Sequence, residues 1–200
     1  MFKVISVAAM IFAACLPASM AQEAVGRAMV DGKTVILFSD FSWEYESAGD
    51  AECQVISREL SFCGSSLKWR AMPNDGGEVA AMYRYDDRNY AMVVVEDLGI
   101  EDGLTKDFMR KAVIENAASG AGVPVSAVTV FENTDTMFGE SEAVFVAYGL
   151  AVDNLPIVYA NTIVTKPNSS YQLITYAVGR ELTDEQKVLH VDFIDSMQLK

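Results

Sequence analysis

Residues Ala143 to Val178 read AVFVAYGLAVDNLPIVYANTIVTKPNSSYQLITYAV, and this stretch decides the fold. Ala143 to Val152, Ile157 to Thr165 and Tyr171 to Val178 are apolar and rich in β-branched and aromatic side chains, and they read as strands. Asp153-Asn154 and Pro167-Asn168-Ser169 separate them with turn chemistry, so the three segments are expected to pair as antiparallel neighbours. A shorter strand is expected before them at Val128 to Phe131. Further upstream lies the clearest helix: Thr105 caps it, Asp107 sits in its first turn, and Phe108, Met109, Ala112, Val113 and Ala117 recur at helical spacing before Gly120 stops it. Val79 to Tyr85 and Tyr90 to Glu96 flank the polar turn Asp86-Asp87-Arg88-Asn89 and read as a hairpin. Downstream, Thr183 and Gln186 have capping-box spacing, and Leu189, Phe193 and Met197 define the buried stripe of a second helix. Strands in runs, with helices segregated from them, indicate an α+β fold whose two main helices cover a central antiparallel sheet.

The order of these elements from about Val79 to Leu199, with the closing Phe193-Ile194-Asp195-Ser196-Met197, resembles the PsbP/Mog1/DcrB-like family. The resemblance implies an accessory, chaperone or assembly role and a binding function, with no shared catalytic centre to transfer. Residues 22 to 77 have no counterpart in that core and are expected to form a small β appendage, so the chain divides into 1 to 21, 22 to 77 and 78 to 200. In the appendage, Arg27 to Val30, Thr34 to Phe38 and Ser42 to Tyr45 are strands joined at Asp31-Gly32 and Ser39-Asp40. They resemble a short DGK…WEY module found at the start of exported bacterial proteins. Pro73-Asn74-Asp75-Gly76-Gly77 marks the boundary with the larger domain.

The first 21 residues have the three-part layout of a secretory signal peptide: Lys3, an apolar run from Val4 to Leu16, and small residues at Ser19 and Ala21. Cleavage after Ala21 gives a periplasmic or secreted protein with no transmembrane segment in the mature chain. Phe12-Ala13-Ala14-Cys15 is a degenerate lipobox, and cleavage before Cys15 would instead give a lipid-anchored protein. On the first reading Cys15 is lost and Cys53 and Cys63 remain as a pair in an oxidising compartment, where a disulfide is expected. Its short closed loop would contribute about 3 kcal/mol in the chain-entropy account.

The whole chain carries 15 basic and 28 acidic side chains, formally -13. Removing residues 1 to 21 takes away Lys3 alone, leaving 14 basic against 28 acidic, or -14. This balance argues against nucleic acid and anionic lipid as partners, because both are held mainly by clustered Lys and Arg.

Few residues point to chemistry. His190 is the only histidine and lies in the second helix, with no Gly-x-Ser-x-Gly elbow anywhere, so a structural role is expected. One His and two bonded Cys leave too few soft ligands for zinc, and neither a metal nor a cofactor is expected. Glu96, Asp97, Glu101, Asp102 and Asp107 lead into the first helix, where acids suit the helix dipole; calcium is the alternative, but the repeating Asp pattern of a calcium loop is missing. Paired carboxylates for a hydrolase cannot be recognised without geometry. Tyr83, Tyr85, Tyr90, Tyr148 and Tyr159 lie on sheet strands and are the candidate binding surface, the competing reading being ordinary strand packing. The expected role is that of a non-enzymatic exported accessory protein of the bacterial envelope. It would bind an envelope protein through its sheet face or the cleft between helix and sheet. A carboxylate-dependent hydrolase and a calcium-responsive or lipid-anchored envelope protein are the alternatives.

Overall fold

The computed structural model describes residues 24–31, 33–46, 53–74 and 76–200. The expected leader, with Cys15, and the loop from Ser47 to Asp50 lie outside the described residues. Three strands come first: β1 (Ala24–Val30), β2 (Lys33–Phe38) and β3 (Trp43–Tyr45), forming their own antiparallel sheet. Short strands follow at β4 (Gln54–Val55), β5 (Leu60–Phe62) and β6 (Arg70–Met72). The hairpin β7 (Val79–Arg84) and β8 (Asn89–Glu96) leads to helix α1 (Lys106–Gly120). Then come the long strands β9 (Thr129–Phe138), β10 (Ser141–Val152), β11 (Leu155–Thr165) and β12 (Ser170–Val178), helix α2 (Asp184–Asp195), and a final β13 (Met197–Leu199).

The architecture is α+β, as expected: seven antiparallel strands in the order β6-β7-β8-β12-β11-β10-β9 form the main sheet. Its register follows from the turns. Asp153 and Asn154, at φ 51° and 66°, close a two-residue loop that puts Val152 opposite Leu155 and thereby sets the pairing of both strands. The helix ends also match their sequence signals. Thr105 Oγ1 accepts from Phe108 N, and Thr183 and Gln186 form a reciprocal capping box.

Two elements depart from expectation. β9 runs to Phe138 instead of ending at Phe131, because its polar second half is an edge strand tied down by ion pairs, from Arg110 of α1 to Asp135 and from Lys187 of α2 to Glu132. Met197 is buried, but as the first residue of β13; α2 ends at Asp195, with Ser196 as its C-cap.

β13 pairs with β5, and Cys63 N donates to Ser196 O, so the chain's end returns to the segment stapled by the Cys53–Cys63 disulfide. Leu60 and Phe62 from that segment, with Trp69 just beyond it, share one core with Tyr83, Leu173 and Phe193. Phe62, Tyr83 and Phe193 form a mutually contacting aromatic cluster, with ring centroids 4.5 to 6.2 Å apart. A second core, on the other face of the sheet, joins Met109 and Val113 of α1 to Val144, Val146 and Ile163. Among the described residues no helix is long and apolar enough to cross a membrane.

Candidate functional site

The two faces of the main sheet are covered unequally. α2 packs against β11 and β12, and on the same face Leu60, Phe62 and Trp69 lie over β7 and β8. On the opposite face α1 packs principally on β10 and β11. The outward side chains of β6, β7, β8 and β12 on that second face are left largely half-buried, although many are apolar.

Strand register organises this face into rows. Tyr148 is opposite Tyr159, Tyr159 opposite Tyr176, and Tyr176 opposite Tyr90, so four tyrosines from four adjacent strands stand in one line across the sheet. Their rings stack in series, with centroids 5.1, 5.7 and 5.5 Å apart and interplanar angles of 14°, 28° and 17°. Stacked aromatic cross-strand pairs of this kind contribute about 1 kcal/mol each beyond area burial. The ladder therefore stiffens the face as well as lining it. The hydroxyl of Tyr90 donates to Asp87 O at 3.2 Å, whereas those of Tyr148, Tyr159 and Tyr176 have no partner among the described residues. Burial raises the pKa of all three phenols, so each stays a neutral donor at physiological pH.

The next row is aliphatic and sulfur-rich. Met72 is opposite Met82 and Met82 opposite Met92, and Met92 adjoins Ile174 of β12. All three methionines are half-buried. Unbranched, polarisable thioethers on an open face adapt to irregular partner surfaces. Beside Ile174, fully buried Asn161 donates from Nδ2 to Gln172 Oε1 at 2.9 Å, and its own Oδ1 has no partner. At the open end of the tyrosine row stand Arg84 and Arg70, each opposite the next residue in line. Arg84 is held by Asp87 and the carbonyl of Asp86, while exposed Arg70 has no partner among the described residues.

Three of the five tyrosines singled out from sequence thus belong to this face: Tyr90, Tyr148 and Tyr159. Tyr148, at 5 % exposure, is the ladder's covered end under α1. The other two lie on the opposite face. Tyr83 is 1 % exposed inside the aromatic core, its hydroxyl donating to Gln54 Oε1, and Tyr85 packs on Trp69 with ring centroids 5.2 Å apart. The five-residue candidate surface did not contain Tyr176, and the three methionines and the two arginines were not singled out. A usable signal was present, because Met72, Met82 and Met92 recur every ten residues through consecutive short hairpin strands.

Other candidate groups are accounted for locally. His190 is enclosed between Thr162 Oγ1 at 2.8 Å and Thr175 Oγ1 at 2.9 Å, and burial lowers its pKa to about 3. Glu96 accepts from Ser170 Oγ, Asp102 from Gly99 N, and Asp107 faces Arg110. Among the described residues no three His, Cys, Asp or Glu side chains converge as a metal site would require. A cleft of about 550 Å³ between α2 and the β7–β8 turn is lined by Asp86, Asp184, Glu185 and Asp192, the last paired with Lys68. There, burial alone would raise Asp86, but hydrogen bonds from Arg88 and Asn89 outweigh it and hold the carboxyl below its usual range. Glu185 is likewise lowered, by the helix-start amide and Thr183.

No protein-family model matches this chain, and no curated protein sequence matches it. Solved structures do. The cyanobacterial PsbP (CyanoP) of Synechocystis sp. PCC 6803 superposes with a TM-score of 0.55 at 10% identity, covering 75% of this chain and 94% of CyanoP. The fold is PsbP-like. A Bacteroides thetaiotaomicron VPI-5482 protein gives 0.48 at 11% identity over 75% of this chain and 49% of its own. LpqN of Mycobacterium tuberculosis, described as involved in cell envelope biogenesis, gives 0.44 at 11% identity over 70% and 83%. The expected architecture is confirmed at the level of fold, and such low identity carries no residue across.

Proposed function

We propose that the chain is an exported, non-enzymatic accessory protein of the bacterial envelope that docks a protein partner on the tyrosine–methionine face. The observation that carries this reading is the half-open sheet side on which four stacked tyrosines adjoin three methionines. Tyrosines and methionines are enriched at the centres of protein interfaces because they combine apolar area with a polar or polarisable atom. Unpaired Arg70 at the rim selects a partner surface that is apolar at its centre and carries a carboxylate at its margin. The Cys53–Cys63 bond fits an extracytoplasmic protein, in agreement with the secretory pattern of residues 1 to 21. A PsbP-like fold is compatible with an accessory role.

The test uses the folded protein as bait in an envelope fraction, with Met82→Lys on the proposed face and Val188→Lys on the exposed side of α2 as control. Loss of a specific partner with Met82→Lys, at least tenfold and without a change in melting temperature, is the expected result. Equal capture by both variants would remove the proposal.

A further inference from the structure

A second feature lies away from this face, at the tip of the β2–β3 hairpin. Phe38 N donates to Ser42 O at 3.0 Å and Phe41 N to Phe38 O at 3.1 Å, enclosing Ser39, Asp40 and Phe41. Asp40 Oδ1 accepts from Ser42 N at 2.9 Å and fixes the turn. The third loop residue adopts the left-handed conformation, with Phe41 at φ 66°. Three-residue hairpin loops place glycine there because any Cβ is strained in that region, and a bulky aromatic is the least suited occupant. Phe41 is also 97 % exposed, so nothing within the described chain offsets the strain.

Its neighbours continue the pattern. Trp43 and Tyr45, two residues apart on β3, are 52 % and 48 % exposed and pack edge to face with centroids 5.4 Å apart. They stand opposite Leu37 and Val35 of β2, which gives the pair an apolar footing, and Lys33 lies 5.6 Å over the Tyr45 ring. The hydroxyls of Thr34 and Ser65 meet at 2.5 Å and tie this small sheet to the rest of the chain. Two exposed acids, Asp40 in the loop and Glu44 on β3, flank the aromatic tip in the chain.

We propose that Phe41, with Trp43 and Tyr45 behind it, is a plug that inserts into an apolar pocket rimmed by Lys or Arg on a partner protein. A residue displayed at full exposure in a backbone conformation that glycine would occupy without strain points to selection for contact rather than for stability. Aromatic anchors buried in a pocket are the usual centres of binding energy. The two acids supply the charge match to a basic rim and disfavour an anionic lipid surface. This surface is separate from the tyrosine–methionine face, and either assignment can fail without the other.

Two experiments test it. Phe41→Gly in the full chain should raise the melting temperature by about 3 °C, since it relieves the left-handed strain; a fall would refute the strain argument. A photo-crosslinking phenylalanine analogue placed at position 41 in the native host should give one discrete protein adduct, mapped to a peptide with apolar residues beside Lys or Arg. The same analogue at Val55, which is 70 % exposed, should give none. Adducts to lipid alone, to an acidic surface, or at a yield no higher than at Val55 would overturn the proposal. Vesicles of phosphatidylglycerol and phosphatidylethanolamine should not bind the protein, and binding that Phe41→Gly abolished would identify a membrane anchor instead.

Discussion

Acidification should destabilise this protein through one histidine. His190 is 3 % exposed, both ring nitrogens are engaged by threonine hydroxyls, and the Phe145 ring lies 5.3 Å away. Burial lowers its pKa from the model-peptide 6.5 to about 3, because the charged ring would lose its hydration without gaining an acid partner. The unfolded chain takes up a proton as pH falls through 6.5, and the folded chain does so only near 3. The contribution of neutral His190 is therefore complete above the unfolded value and declines through the window below it. At pH 5 the loss relative to pH 7 is about 2 kcal/mol, a figure set almost wholly by the unfolded-state pKa. Urea unfolding followed by tryptophan fluorescence, for wild type and His190→Gln at both pH values, isolates this effect from the many carboxylates. The wild type should lose about 2 kcal/mol more than the variant between pH 7 and pH 5. Equal losses in the two proteins would refute the reasoning.

Three further outcomes follow from the packing. Phe193→Ala removes the fully buried ring that contacts Phe62, Trp69 and Tyr83, and should cost about 3 to 5 kcal/mol in chemical denaturation. Replacing both Cys53 and Cys63 by Ser should cost about 3 kcal/mol, read in the same assay under non-reducing conditions. Thr183→Ala breaks the capping box of α2 and should cost about 1 kcal/mol, measured by the shift in the thermal midpoint.

Much of the fold was legible because its signals are local. The apolar runs of β10 to β12, the Asp153-Asn154 turn and the Thr183–Gln186 cap each specify an element within a few residues. Pairings between distant segments were not legible. Three residues of β13 find β5 across most of the chain, and β6 joins β7 across the Pro73 to Gly77 boundary, so residues on both sides of that boundary share one sheet. The polar second half of β9 carries no burial pattern, since its ion pairs come from two helices.

The candidate site was half legible for the same reason. Tyr83 and Tyr85 must share a face by strand periodicity, but whether Tyr90 joins them depends on the turn between them. Tyr83 falls opposite Ala91 and Tyr90 opposite Arg84, which sends Tyr90 to the other side. Only the complete register reveals that Tyr90, Tyr176, Tyr159 and Tyr148 form one row.

Methionine oxidation footprinting tests the proposed docking face most directly. Limited oxidation of the protein, alone and with an envelope fraction, can be read residue by residue at Met72, Met82 and Met92, with exposed Met137 on β9 as internal control. Protection of Met82 and Met92 with Met137 unchanged is the predicted result. Unaltered oxidation of Met82 and Met92 in the presence of a bound partner would contradict it.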